Sequence, residues 1–194
     1  MRPVTLALTI GLIAASAPFS LPSLSISPAM AENVHFTGTR HDGKPIDETA
    51  LTGWRLYYFG YTFCPDVCPT SLVAVAEMLD AMGPMASRLT PVFVTVDPDR
   101  DTPSVMKDYV GAFHPAIVGL TPTDEGLKAL AAAYRIKYQK VDLGPNRAYL
   151  MDHSASLFLI DPNGDVAGKF PHGMDARQMA AKVLTVFARA DGKS

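Results

Sequence analysis

Cysteine is scarce in this sequence: Cys64 and Cys68 are the only two among 194 residues. Two thiolates are too few for an iron–sulfur cluster held by four of them. An excess of basic charge is also missing. Seventeen Lys and Arg stand against 19 Asp and Glu, a net charge of -2, which argues against an extended phosphate-binding face and against nucleic acid as a partner. There is no internal repeat, charge block or long biased run, and the 16 prolines are spread along the chain, marking turns and loop ends. What remains is an ordinary globular composition, 48% hydrophobic and 19% charged, at a length suited to one domain with a full-sized core.

The first 31 residues read as a targeting segment. Arg2 is the only charged side chain before Glu32, an apolar run follows from Val4 to Ala17, and Pro18, Pro22 and Pro28 break what comes next. Ala29-Met30-Ala31 has the small-x-small form cut by export peptidases. The run is shorter than the ~20 residues a bilayer-crossing helix needs. Residues 1–31 are therefore expected to be a cleaved signal peptide, with a short membrane anchor as the alternative, and residues 32–194 to form the exported domain. Outside the cytoplasm the surroundings are oxidising, and two cysteines there readily pair unless used otherwise.

Along that domain, a turn-rich leader from Glu32 to Gly53 predicts a hairpin. Trp54–Gly60 is a dense aromatic strand. Leu72, Val75, Ala76 and Leu79 predict a helix from Pro69 to about Met82. Pro91–Val96 reads as a second strand, and Thr102-Pro103 caps a helix with Met106, Tyr109, Val110 and Phe113 inward. Ala116–Leu120 is a third strand, Leu127, Leu130, Ala131 and Tyr134 mark another helix, and Ile136–Val141 is extended. Ser156–Ile160 and Val166–Phe170 flank the turn Asp161-Pro162-Asn163-Gly164-Asp165. Asp175 and Gln178 form a capping box before a helix with Ala180, Val183, Leu184 and Phe187 inward. This order predicts an α/β fold of thioredoxin type, a mixed central sheet flanked by helices, with the N-terminal hairpin as an extension.

The two cysteines lie four apart, at the end of one predicted strand and the start of a helix, where N–H groups and the helix dipole favour thiolate over thiol. A structural disulfide here would close a loop of only a few residues and constrain the unfolded chain little. The redox motif of thioredoxins has two intervening residues; here there are three, a spacing that suits sharing one metal ion as well as cycling a disulfide. Soft thiolates select copper(I) or zinc; zinc wants a fourth ligand, whereas copper(I) accepts two or three. A peroxidase would need a cation beside its cysteine, and no Arg or Lys lies within the Cys64–Cys68 loop.

An imidazole would complete a trigonal site, and His35, His41, His114, His153 and His172 are the candidates. His153 is favoured by its place just before the predicted strand at Ser156, where a thioredoxin-like sheet brings loops opposite the one after the first strand. Spacing alone does not settle the choice. Asp152 or Asp97 could orient its ring. Met78, Met82 and Met85, at helical spacing, form a candidate second copper site, though such methionines are more often packing residues.

The segments Tyr58–Thr70, Val94–Pro103 and Asp152-His153-Ser154, with Phe113-His114-Pro115 and the Leu159–Gly164 turn, resemble the Sco/SenC copper proteins in order and spacing. The resemblance runs over roughly residues 34 to 188. It implies a thioredoxin fold, copper as Cu(I) or Cu(II) held by Cys64, Cys68 and His153, and assistance to the subunit of cytochrome c oxidase that carries the dicopper centre. Other copper chaperones are implied as further partners. A reductase acting on the client's copper-ligand cysteines would use the same Cys64 and Cys68 as redox groups. Members are usually tethered through the N-terminus, and the short, proline-broken segment here departs from that. The expected location is the periplasm or the extracytoplasmic face of the membrane.

Overall fold

A computed structural model describes residues 34–145 and 148–192; the predicted signal segment lies outside them. Nine strands and four α-helices follow one another in the described residues, and no helix there is long and apolar enough to cross a membrane.

The leader is a hairpin, β1 (Thr37–Arg40) and β2 (Pro45–Asp47), turned at Gly43 with φ of 84°. Next come β3 (Trp54–Gly60), α1 (Val67–Met82), β4 (Leu89–Thr95), α2 (Pro103–Gly111), β5 (Val118–Pro122) and α3 (Asp124–Tyr134). β6 (Tyr138–Val141) and β7 (Leu150–His153) precede β8 (Leu157–Ile160), β9 (Val166–Phe170) and α4 (Ala176–Asp191). Seven strands form one sheet in the order β2-β1-β5-β4-β3-β8-β9. β3, β4 and β5 run parallel, and β8 pairs antiparallel with β3. This is the predicted thioredoxin-like sheet. The hairpin is more than an appendage, because β1 pairs with β5 and extends the sheet.

β3 lies inside the sheet between β4 and β8 and is buried at all seven positions, the signature of a strand covered on both faces. Successive side chains alternate. Trp54 meets Phe187 of α4 at 4.8 Å between ring centroids, and Tyr58 meets Phe93 at 5.8 Å. On the opposite face Tyr57 and Phe59 pack on Tyr134 of α3 at 5.4 and 5.9 Å. Burying each such ring contributes about 1.5–3 kcal/mol, so β3 is held firmly and its C-terminal end is a rigid place for a loop.

Several boundaries differ from expectation. α1 starts at Val67, not Pro69, so Cys68 lies inside its first turn and Pro69 is the third helical residue. The third parallel strand is shifted to Val118–Pro122, with Ile117 buried just before it. Tyr109 and Phe113 are only partly buried and meet edge-on at 5.2 Å, and Leu184 is also only partly buried, with Met179 in the core beside Ala180 and Val183. Asp175 caps α4 by accepting the Gln178 N–H at 3.0 Å. The extended segment after α3 pairs with β7 as a two-stranded ribbon separate from the main sheet.

Candidate metal centre

At Gly60 the chain leaves the sheet, and a buried carboxylate catches it. Asp101, fully buried, accepts the Thr62 N–H at 3.0 Å, the Thr62 hydroxyl at 2.6 Å and the Thr95 hydroxyl at 2.5 Å. Burial pushes its pKa up against these donors. The loop from Tyr61 to Asp66 is thereby tied to the end of β4 before α1 begins.

The start of α1 is unusual in its capping. Asp66 occupies the N-cap but makes no side-chain capping bond. The Cys64 sulfur instead accepts the backbone N–H of Cys68 at 3.4 Å, taking one of the donors that every helix start leaves free. Cys64 is half-buried and Cys68 fully buried, and both are free thiols. Burial pushes the Cys68 thiol up to about 12. Gly60 makes room for it, because a Cβ there would stand 2.7 Å from the Cys68 sulfur and 2.7 Å from the Phe93 ring.

His153 comes in from the ribbon, not from a loop as expected: it is the last residue of β7, paired with Tyr138 of β6. Its Nδ1 is 3.1 Å from the Ser154 carbonyl, an acceptor, so Nδ1 carries the proton and donates it. The Nε2 lone pair is left facing the Cys68 sulfur at 3.4 Å. The Tyr61 ring meets the imidazole edge-on at 5.8 Å and 88°. Burial lowers the pKa of His153, against smaller opposing effects of the Ser154 carbonyl and Asp152. The orienting group is thus a backbone carbonyl, and neither Asp152 nor Asp97 bonds the ring. Asp97 is engaged by Arg100 and Tyr149.

The other four histidines are engaged by partners away from the two sulfurs. His35 bonds Glu48 at 2.5 Å, and Nδ1 of His41 accepts the Gly119 N–H at 2.8 Å. Nδ1 of His114 accepts the Ala116 N–H at 3.1 Å, and His172 bonds the Ser71 hydroxyl at 2.9 Å. Met78 and Met82 are buried core residues, whereas Met85 is exposed, so two of the three methionines of the row serve as packing.

Among the His, Cys, Asp and Glu side chains of the described residues, Cys64, Cys68 and His153 are the one group of three whose donor atoms converge, all within 4.8 Å of one another. Two sulfurs and one neutral imidazole nitrogen form a soft, three-donor set. The sequence profile of the SCO1/SenC family matches residues 26–188. The chain belongs to the SCO1/SenC family. Human mitochondrial Protein SCO1 homolog is 36% identical over 153 residues, covering 77% of this chain and 51% of the relative. Arabidopsis thaliana ScoI, solved with copper bound, superposes with a TM-score of 0.74 at 34% identity, covering 80% of this chain and 97% of that one. Copper-bound ScoI of Bradyrhizobium japonicum gives a TM-score of 0.72 at 36% identity, covering 78% and 97%. This SCO1/SenC chain spans about half the length of relatives such as the human protein.

Two residues beside the site escaped the sequence reading. The Cys64–Cys68 loop has no cation of its own, yet Arg100 comes from the loop after β4 to the residue just before it, its guanidinium 4.8 Å from the Phe63 ring. Tyr149, just before β7, lies under the same guanidinium at 3.6 Å. Arg100 stands in one of the motifs that carry the family resemblance, which was the available signal; no periodicity points to Tyr149.

Proposed function

We propose that this protein binds one copper ion between Cys64, Cys68 and His153 and delivers it to the dicopper-carrying subunit of cytochrome c oxidase. The observation that carries this reading is the 3.4 Å approach of His153 Nε2 to the Cys68 sulfur. A dithiol cycling with a disulfide has no need of a neutral imidazole lone pair aimed at its buried sulfur; a trigonal copper site does. The copper-bound ScoI structures of the same family support the choice of ion. The client follows from the family resemblance, as does action outside the cytoplasm after removal of residues 1–31, with copper chaperones as further partners. Intact-mass measurement of protein from its native envelope then yields a chain beginning at Glu32.

The competing reading, a reductase of client disulfides, uses the same free cysteines, and one variant separates the two. His153→Ala leaves both sulfurs and the start of α1 in place. A copper carrier then loses affinity by at least about 10–100-fold, the range typical even for indirect ligand-supporting changes, and oxidase assembly fails at low copper but recovers when copper is abundant. A reductase variant works nearly as fast as wild type and supports assembly at low copper, an outcome that would reject copper delivery.

A further inference from the structure

The ribbon that carries His153 shares no ladder hydrogen bond with the seven-stranded sheet that carries the cysteine loop, among the described residues. The ribbon is joined directly to that sheet only by the short backbone link from His153 to Leu157 of β8, so side chains share in setting the distance between the imidazole and the two sulfurs. The groups at that junction converge on Arg100.

Arg100 donates through Nε to the buried Asp97 carboxylate at 2.5 Å and through Nη1 to the backbone carbonyl of Tyr149 at 2.9 Å. The Tyr149 hydroxyl returns to the other oxygen of Asp97 at 2.8 Å, closing a ring of three residues. The guanidinium carbon lies 3.6 Å from the Tyr149 ring centroid, 4.8 Å from that of Phe63 and 5.7 Å from that of Tyr61. Tyr149 is also touched by Lys140 of β6, whose ammonium is 3.7 Å from the ring. Phe63 immediately precedes Cys64, and Tyr149 immediately precedes β7, which ends at His153. One planar cation thus contacts the neighbour of the first sulfur ligand and the lead-in to the imidazole. The Arg100 side chain is 17% exposed and the Asp97 side chain 4%, so their ion pair is shielded from water, where charged contacts are stronger, while Phe63 forms the exposed outer edge of the junction.

From this geometry we infer that Arg100 is the positioning residue of the metal centre, fixing the ribbon, and with it His153, against the cysteine loop. The inference rests on the copper site proposed above. A lysine cannot stand in for it. Lysine offers a point charge without the planar fork that bonds Asp97 and the Tyr149 carbonyl while stacking on rings.

The test uses the full reduced chain as wild type, R100M, R100K and Y149F. Cu(I) affinity is read by chelator competition, the Cu(II) complex by absorption and electron paramagnetic resonance, and the copper-free protein by NMR of the imidazole nitrogens. R100M is expected to bind copper about 10–100-fold more weakly and to shift the Cu(II) spectrum toward that of His153→Ala. In the copper-free protein the His153 imidazole signals should move or broaden, while the amide signals of β3 and α4 stay in place. R100K should show the same changes, because charge alone does not rebuild the clamp, and it carries the test if R100M does not fold. Y149F keeps the ring and its carbonyl and should lose only a few-fold, on the order of one hydrogen bond. Wild-type affinity and spectra in R100M, or full rescue by R100K, would overturn the inference. Failure of the wild-type protein to bind copper would reject the proposed function instead, and the copper-free His153 signals would still report on Arg100.

Discussion

The Cys68 sulfur and the Nε2 of His153 stand 3.4 Å apart although 85 residues separate them in the chain. One belongs to the first turn of a helix fed by the buried strand β3; the other closes a two-stranded ribbon outside the main sheet. Their protonation states are set in opposite directions by the same cause, burial, which raises the thiol and lowers the imidazole. Each is therefore neutral at pH 7 in the metal-free protein, and only the thiol has a proton to give up.

Copper binding and fold stability should consequently diverge in alkali. With the Cys68 thiol at about 12, its proton must leave when a metal binds, and affinity gains roughly tenfold per pH unit for each proton released. The same raised pKa contributes to the stability of the metal-free fold below the free-thiol value of about 8.5. That contribution is lost as pH rises toward about 12. Between pH 8 and 10 the copper-free unfolding midpoint should fall while copper affinity rises. Competition titrations and thermal melts at matched pH check both slopes, and a pH-independent affinity would count against Cys68 as a ligand.

Alkylation should discriminate the two sulfurs. Cys64 is half-buried at the loop surface and faces a helix N–H, whereas Cys68 is fully buried with its thiol held protonated. Brief iodoacetamide treatment of reduced protein at pH 8, followed by peptide mass mapping, should label Cys64 at least about tenfold more than Cys68, since only the accessible thiolate reacts. Equal labelling would mean that the site opens widely in solution.

Gly60→Ala should damage the site without altering any ligand. The new methyl would stand 2.7 Å from both the Cys68 sulfur and the Phe93 ring, and Phe93 is itself fully buried and unable to retreat. The overpacking should cost about 1–3 kcal/mol of stability, measured by denaturant unfolding of the reduced protein, together with a clear loss of copper affinity as the sulfur is displaced.

Met78→Ala should destabilise strongly and leave copper stoichiometry at one per chain. Met78 is fully buried in the core, and such truncations cost about 2–5 kcal/mol. Calorimetry of wild type and variant gives both quantities, and a fall in stoichiometry from two to one would restore the methionine row as a second site.

What the sequence determined by itself was most of the order of elements and the place of its two cysteines. Periodicity is a local property, so the buried strand Trp54–Gly60, the helix with Leu130 and Tyr134 inward and the hairpin around Asp161–Asp165 could be read directly from residue spacing. The cysteines declared themselves by being the only two, four apart at a strand-to-helix junction. His153 was a harder choice, because five histidines are equivalent in composition and only the fold brings one of them to the sulfurs; the family resemblance, not spacing, singled it out. Tertiary structure alone decided that a two-stranded ribbon delivers it, since whether a strand joins the main sheet depends on partners distant in sequence. It also decided that the Ser154 carbonyl, rather than Asp152 or Asp97, orients the ring, because every residue has a carbonyl and none advertises its direction. The cation missing from the Cys64–Cys68 loop arrives for the same reason from elsewhere. Arg100 reaches Phe63 and Tyr149 across the surface of the fold, and contacts between side chains of different elements leave no periodic trace in the chain.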